Sequence, residues 1–205
     1  MMKMEEDKHS LPGSEGEHKM QERLGTQDKA KEFYSRQMLD FLAKQMQDFI
    51  QKQEMVFIST SDKEGECDCS FRSGKAGFMH VLNAKTLAYA ELKGNGVMAS
   101  MGNISENSHI GMLFLDFLED KVGLHVNGKA KIIQGSLLDA KPDDISVESL
   151  KEIESSYHQK QVSWILVEVE EAYIHCSKNI PMFKKNEDIS ELSKARPIDY
   201  FNLDR

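Results

Sequence analysis

Two basic side chains lie next to glycine-bearing segments, and together they have the chemistry of a phosphate site. Arg72 ends one strand candidate, and Lys93 directly precedes the loop Gly94-Asn95-Gly96. Arginine offers a planar fork of donors to a phosphate, and lysine offers a point charge. Glycine lets the backbone approach a ligand closely. The pattern therefore predicts a site for one phosphate, against the simpler alternative that both residues are ordinary surface charges.

The same glycine loop also fits a dinucleotide-binding fingerprint. Residues 94–99 read G-x-G-x-x-A after a strand candidate, and Asp116 ends another strand candidate about 20 residues later. Against this reading, Glu91 and Lys93 interrupt the preceding run, whereas a buried parallel strand is nearly continuous in apolar residues. No β-α-β alternation continues on either side. A nicotinamide-dinucleotide enzyme stays an alternative with little support.

The cysteines form a weak metal pattern. Cys67 and Cys69 are two residues apart on a strand, and His175-Cys176 lies on a distant one, so a zinc site requires these strands to pair. A C-x-C spacing in a strand fits tetrahedral zinc poorly. We therefore predict buried free thiols and no metal.

Composition limits the classes of protein to consider. The chain has 205 residues, of which 40% are hydrophobic, a formal net charge of −8, and three cysteines. It contains no apolar run of about 20 residues and begins with a charged segment rather than a signal peptide. The negative charge disfavours nucleic-acid and anionic-membrane binding. These features are typical of a cytoplasmic protein without a disulfide framework.

The chain divides into an extension and one domain. Residues 1–26 are polar and predict an N-terminal extension without an apolar period. Apolar residues at helical spacing predict a long helix over 28–53, or two shorter ones. This helix, a barrel over about 54–178 and a polar C-terminal tail together form a single predicted domain, 27–205.

Strand and helix patterns alternate at hairpin spacing after the first helix. Six or more strand candidates follow residue 54, with Gly128 as the expected site of a bulge or a close backbone approach. Helices are predicted over about 95–106 and 144–159, the second capped by Ser146. This order favours a mainly β or α+β fold, an antiparallel barrel or sandwich with flanking helices.

The order of these motifs resembles the pyridoxamine 5′-phosphate oxidase-like family of flavin-binding split barrels. The resemblance covers roughly residues 50–135, in the segments FISTSDKEGECDCSFRSG, GFMHVLNAKTLAYAELKGNG, SMGNISENSHIGMLFLDF and LHVNGKAKI, and the late strand YIHCSK is similar too. The resemblance implies a six-stranded antiparallel split β-barrel with Greek-key topology. It also implies a homodimer with flavin mononucleotide (FMN) at the subunit interface.

Carried over position by position, the resemblance assigns Arg72 and Lys93 to the FMN phosphate. The other cofactor-binding residues that it implies are hydrogen-bonding or ring-lining: Ser70, Ser73, Phe78, Met79, Asn95 and Ser100. Two elements of the vitamin B6 oxidases are absent. ELKGNG replaces the Ser-Arg-Lys cluster, and the chain ends PIDYFNLDR without the Arg-x-His element. The resemblance therefore implies flavin binding more than pyridoxamine oxidation.

The sequence favours a dimeric, FMN-dependent oxidoreductase acting on a small molecule. No side chain is singled out as a catalytic acid or base, because hydride chemistry belongs to the flavin and the protein supplies position and environment. The alternative is a flavin- or haem-binding protein with a storage, sensing or degradation role. The possible axial ligands are His80, His109, His125 and His175.

Overall fold

A computed structural model describes residues 11–140, 145–157 and 161–185. Seven strands form one sheet in the order β2-β1-β5-β6-β7-β4-β3. Their bounds are β1 Met55–Ser61, β2 Cys67–Ser73, β3 His80–Asn83, β4 Thr86–Leu92, β5 His109–Leu115, β6 Gly123–Ile133 and β7 Gln161–His175. Every pairing among these strands is antiparallel.

The sheet has seven strands and is open, which corrects the prediction of a six-stranded split β-barrel. β2 and β3 are its two edges, and no backbone ladder joins them within the described residues. The sheet curls because its strands twist. As a result, Arg72 on β2 reaches Glu91 on β4, although four other strands separate β2 from β4 in the sheet order. A split therefore remains between β2 and β4.

Period-two alternation builds the main core on the concave side of the curled sheet. β1 and β5 bury every second residue, and β6 does so from Leu124 to Ala130, as expected for strands with one face on a core. The fully or almost fully buried members include Val56, Ile58, Met112, Phe114, Leu124, Val126 and Val167. A second cluster packs below the last helix around Trp164 and Leu150.

In the part of the chain that the structure describes, five α-helices accompany the sheet: α1 Glu15–Leu24, α2 Gln27–Arg36, α3 Lys44–Lys52, α4 Ala99–Glu106 and α5 Val147–Ser156. The Ser146 side chain accepts a hydrogen bond from the Ser149 backbone N–H, which confirms the predicted cap of α5. None of the described helices is long and apolar enough to cross a bilayer.

Of the two arrangements predicted for 28–53, the structure has the two shorter helices, α2 and α3, because a tertiary contact interrupts the helical period. Leu39 and Ala172 exchange two backbone hydrogen bonds, with N–O distances of 3.0 and 2.7 Å. The neighbouring Leu42 is fully buried, and its N–H donates to the Ala84 carbonyl. Pairing with β7 thus outweighs the local helical period in the intervening segment.

The predicted polar extension contains α1, which sequence periodicity did not indicate. Ser14 and Glu17 form a capping box in which each side chain accepts the other residue's backbone N–H. Gly25 ends the helix in the left-handed conformation, with a φ of 65°. The caps define this helix although none of its residues is buried.

Gly128 lies at a break in register between β6 and β7, which confirms the predicted bulge or close approach. A Cβ atom at this position would lie 1.9 Å from the Glu168 carbonyl oxygen. Glycine is therefore required by backbone packing rather than by a positive φ.

The convex face of the sheet carries a row of apolar and aromatic side chains, which we call the outer row. Successive members are directly opposite one another on β2, β1, β5, β6 and β7. They are Phe71, Phe57, Leu113, His125 and Tyr173. Phe71 is 51% exposed and the others are half-buried. At one end of the row, Phe33 of α2 makes an edge-to-face contact with Tyr173.

The dinucleotide fingerprint is wrong as a structural assignment. β4, which precedes the glycine loop, pairs antiparallel with both of its neighbours, so the loop is not part of a β-α-β unit. Asp116 has a different role, because its carboxylate accepts three backbone N–H groups in the turn after β5.

Candidate functional site

A cavity of about 530 Å³ occupies the split between β2 and β4, below the loop that leads into α4. This volume is within the range of small-molecule pockets, which is about 300–1,000 Å³. Seven of the eight residues predicted to bind the cofactor line it: Ser70, Arg72, Ser73, Phe78, Lys93, Asn95 and Ser100. The structure therefore brings together segments that are up to 30 positions apart in the chain.

Met79 is the exception among the predicted residues. It is fully buried in the main core and is not among the residues that line the cavity. Its neighbour Phe78 does line the cavity and is 8% exposed. Met79 therefore supports the cavity wall from behind instead of facing a ligand.

Alternation along β2 selects which side chains face the split. Asp68, Ser70 and Arg72 are half-buried, and the residues between them are exposed. The Ser70 and Ser100 hydroxyls both lie within hydrogen-bond distance of Asp68 Oδ2, at 2.7 and 3.1 Å. Asp68 thereby ties α4 to β2 at one side of the cavity.

An ion pair crosses the split. Arg72 donates from Nε and Nη2 to one oxygen of Glu91, Oε2, at 3.2 and 3.0 Å. Arg72 Nη1 donates to the Phe71 carbonyl at 3.1 Å. The Arg72 side chain is 22% exposed and the Glu91 side chain 8%. This pair is therefore substantially shielded from water and holds the two sides of the split together.

Two tyrosines complete the inner end of the cavity beside Glu91. Tyr89 lies two residues before Glu91 on β4, so both side chains are on the same face, and its hydroxyl is buried without a described partner. Burial and the Glu91 carboxylate raise the pKa of Tyr89, with Arg72 opposing them. Burial and Glu91 also raise the pKa of Tyr157. Both phenols therefore stay protonated at neutral pH and can donate to a ligand.

The loop of residues 93–98 and the start of α4 form the outer side of the cavity. Gly94, Gly96 and Met98 have positive φ values of 50°, 82° and 57°. Met98 precedes α4, and no side chain caps this helix. The first backbone N–H groups of α4 therefore lie beside the cavity, since Ala99 and Ser100 both line it. Uncapped N–H groups at a helix N-terminus favour an anion.

The charges around the cavity balance formally. Its lining contains two carboxylates, Asp68 and Glu91, and two cations, Arg72 and Lys93. Lys93 is exposed, whereas Arg72 already has three of its five N–H groups in hydrogen bonds. A phosphate fits best at the Lys93 side, where the start of α4 adds donors. The two remaining N–H groups of Arg72 can add to it from the other side.

A larger cavity of about 1,180 Å³ lies elsewhere, between α3, the β5–β6 turn and the segment around Phe183. Phe117 and Phe183 stack across its edge, with ring centroids 5.3 Å apart. It contains none of the predicted site residues. Volume alone therefore does not identify the functional site.

The cysteines do not support a metal centre. All three are free and exposed, so the prediction of buried thiols is wrong. β2, which carries Cys67 and Cys69, is separated from β7 by three strands, so the strand pairing that a zinc site with His175-Cys176 would require does not occur. In the described part of the chain, the ligand atoms that cluster closely enough belong only to three acids, the half-buried Asp62 and the exposed Glu64 and Glu106.

Two histidines have pKa values that predict how stability depends on pH. Burial lowers the pKa of His80, and burial together with the adjacent His175 lowers the pKa of His125. The unfolded chain therefore binds more protons than the folded one below the ordinary value of 6.5. The contribution of these residues to stability is present above that pH and is lost as the pH falls through the lowered pKa values.

We expect the free energy of unfolding, measured by urea titration, to decrease between pH 7 and pH 5. His80→Phe keeps an aromatic ring against Trp164 and Tyr157 but cannot be protonated, so it should flatten part of this slope. His109→Gln, at an exposed position, is the matched control. An unchanged slope in His80→Phe would show that His80 is not a source of the acid sensitivity.

Comparison with known proteins agrees with the antiparallel sheet and its split. A family model described as pyridoxamine 5′-phosphate oxidase matches residues 42–176, well over half of the chain. The chain therefore belongs to the pyridoxamine 5′-phosphate oxidase family. No curated protein sequence matches it.

Several solved structures resemble this chain at low sequence identity. A histidine-to-alanine variant of HupZ from Group A Streptococcus is 18% identical, with a TM-score of 0.50 over 65% of this chain and 99% of that one. An FMN-binding protein from Syntrophomonas wolfei is 13% identical, with a TM-score of 0.47 over 80% and 98%. The haem storage protein HutZ from Vibrio cholerae is 13% identical, with a TM-score of 0.41 over 65% and 94%. The HupZ likeness supports the fold.

Sequence reasoning missed the acidic and phenolic side of the site. Glu91 was read only as an interruption of a strand, and Tyr89, Tyr157 and Asp68 were not singled out. Period two along β4 could have placed Tyr89 and Glu91 on one face. Their approach to Arg72 depends on the curl of the whole sheet, which no local pattern indicates.

Proposed function

We propose that this protein binds FMN in the cavity between β2 and β4. The observation that carries the proposal is the convergence, in one cavity of about 530 Å³, of Arg72, Lys93 and the uncapped start of α4. These groups suit one phosphate, and membership of the pyridoxamine 5′-phosphate oxidase family favours a flavin as the molecule that carries it.

Under this proposal, some residues hold the phosphate and others form the walls of the cavity. Lys93, the first N–H groups of α4 and the free N–H groups of Arg72 hold the phosphate. The polar residues Ser70, Ser73, Asn95 and Ser100 offer hydrogen bonds to the phosphate or the ribityl chain, and Phe78 provides an apolar wall. Met79 is no longer proposed as a ring contact because it is buried in the core.

We further propose an oxidoreductase that acts on a small molecule. The bound flavin would supply hydride transfer, and the protein would orient the reactants and exclude water. Tyr89 and Tyr157 keep their protons at neutral pH because of burial and Glu91, so they can act as hydrogen-bond donors at the inner end of the cavity. No described group at the site is assigned to proton transfer.

The haem alternative has less support in the geometry. Among the described residues that line the 530 and 1,180 Å³ cavities there is no histidine. His125 and His175 are within hydrogen-bond distance of each other, with Nε2 and Nδ1 2.9 Å apart, on the convex side of the sheet. His80 packs against Trp164 in the second core. Titration with FMN and, separately, with haem tests which cofactor is bound.

A homodimer through the outer row is the assembly that we propose. The row places four apolar or aromatic side chains and His125 side by side across five strands, and its most exposed member, Phe71, is adjacent to Arg72 on β2. Large contiguous apolar patches on soluble proteins mark interaction sites. A second copy seated on this row would therefore lie beside the cavity and could complete the flavin site.

We expect light scattering to report a dimer for the wild-type chain and a monomer for Leu113→Glu. Leu113 is at the centre of the outer row, so a carboxylate there would be buried against the partner without a counter-charge. Val147→Glu, on the exposed side of α5, should stay dimeric. A wild-type monomer at all concentrations, or a dimeric Leu113→Glu variant, would contradict this interface.

A further inference from the structure

Glu91 lies where its charge can change the affinity of the cavity for a phosphate. Its carboxylate is 8% exposed and its described hydrogen bonds come from Arg72 alone. Both of these bonds use the Nε and Nη2 side of the guanidinium, one of the two sides on which an arginine can hold an oxyanion as a fork. The positive charge of Arg72 is therefore already compensated by Glu91 before a phosphate binds.

The energetics disfavour an exchange of partners. If a phosphate displaced Glu91 from Arg72, a buried carboxylate would be left without its counter-ion, which is strongly unfavourable. If the pair stays intact, the phosphate approaches a carboxylate of like charge in a shielded site. In both cases Glu91 lowers the gain from phosphate binding, whereas an uncharged part of the ligand does not experience this repulsion.

The inner end of the cavity has a second feature that the phosphate does not explain. The Tyr89 hydroxyl is buried, has no described partner and belongs to a residue that lines the cavity beside Glu91. A buried polar atom of this kind normally has a hydrogen-bond partner. A neutral hydroxyl can donate to Glu91 and accept from Tyr89, so this end of the cavity is better suited to a polyol than to a phosphate.

We propose that Glu91 is a specificity-determining residue that weakens the preference of this cavity for phosphorylated over unphosphorylated flavin. The proposal rests on the proposed flavin site. It assigns the phosphate mainly to Lys93 and the start of α4, with the free N–H groups of Arg72 as weaker donors while Glu91 is charged, and it assigns Glu91 and Tyr89 to the neutral, hydroxyl-bearing part of the ligand.

The test compares the affinities of FMN and riboflavin for the full-length wild type and for Glu91→Gln. Glutamine keeps the shape of the side chain and one oxygen for Arg72, but it removes the charge. We expect the ratio of FMN to riboflavin affinity to rise by roughly ten- to a hundredfold, the effect of one freed charge-assisted contact. Riboflavin affinity should change little by comparison.

Glu168→Gln is the matched control, since it removes one carboxylate from an exposed position on β7. It should leave the affinity ratio unchanged. If Glu91→Gln does not fold, as judged by thermal unfolding, Glu91→Thr provides a second neutral variant in which Arg72 can be solvated through the cavity, and the same rise is expected.

The possible results separate the two proposals. If wild type binds both flavins and the neutral Glu91 variants leave the ratio unchanged, the role of Glu91 is wrong and the flavin site stands. A ratio that rises equally in Glu168→Gln also overturns it, because the effect would then be one of net charge. If wild type binds neither flavin, the flavin site and the Glu91 proposal both fail.

Discussion

Gly128→Ala is expected to lower the free energy of unfolding by at least about 3 kcal/mol, because the added methyl group has no space. Its Cβ would lie 1.9 Å from the Glu168 carbonyl oxygen and 2.9 Å from the Glu168 carbonyl carbon. These atoms are backbone, so they cannot move aside as a flexible side chain would. β6 and β7 must separate locally, at the longest strand pairing in the sheet.

Gly102→Ala is the matched control for this substitution. Gly102 is exposed within α4, and a Cβ there meets nothing within 4 Å. Alanine should therefore stabilise the protein by roughly 0.5–1 kcal/mol, because glycine is the poorer helix former. Urea unfolding measures both variants. A Gly128→Ala protein as stable as wild type would contradict the register between β6 and β7.

Arg72→Ala is expected to destabilise the protein by about 3 kcal/mol, because it leaves Glu91 as a buried carboxylate without a counter-ion. Because Arg72 is partly exposed, we expect a loss of stability at the lower end of the range found when one partner of a buried ion pair is removed. Adding Glu91→Gln to Arg72→Ala should recover most of the loss, since an amide is less costly to bury than a charge.

Lys93→Ala is the control for the loss of a positive charge at the same cavity. Lys93 is exposed, so its removal should change the free energy of unfolding by less than about 0.5 kcal/mol. If Arg72→Ala is no more destabilising than Lys93→Ala, or if Glu91→Gln gives no recovery, the ion pair across the split does not stabilise the fold. Because Arg72→Ala perturbs stability, the effect of Arg72 on flavin affinity is best measured by comparing the Arg72→Ala, Glu91→Gln double variant with Glu91→Gln alone.

Local patterns in the sequence predicted most of the secondary structure of the barrel region. Alternating residues located the strands, Ser146 marked the start of α5, and Gly128 marked the bulge. The break between α2 and α3 was not predictable in this way. It results from the backbone pairing of Leu39 with Ala172, which is 133 residues away in the chain.

The candidate site was predicted on its basic side and missed on its acidic side. Arg72 and Lys93 are conspicuous because arginine and lysine beside glycine suggest an anion. Glu91 gave no such signal, since a single acid near the end of a strand is usually solvated. Its pairing with Arg72 depends on a sheet that curls until β2 faces β4, and this curl is a property of all seven strands.

The position of the cysteines also depends on the sheet as a whole. Free cysteine is usually buried, which is why the composition favoured buried thiols. Cys67 and Cys69 instead alternate with Asp68 and Ser70 on β2, and they point away from the split on an edge strand. Which face of β2 is covered follows from the curl of the sheet rather than from the strand itself.

Fluorescence titration of FMN with the purified protein tests the central claim most directly. We predict saturable quenching of flavin fluorescence at micromolar concentrations. We also predict that Lys93→Ala weakens FMN binding and leaves riboflavin binding nearly unchanged, while Lys131→Ala, at an exposed position on β6, alters neither. Absence of FMN quenching at micromolar concentrations by the folded wild-type protein would contradict a flavin site in the cavity between β2 and β4.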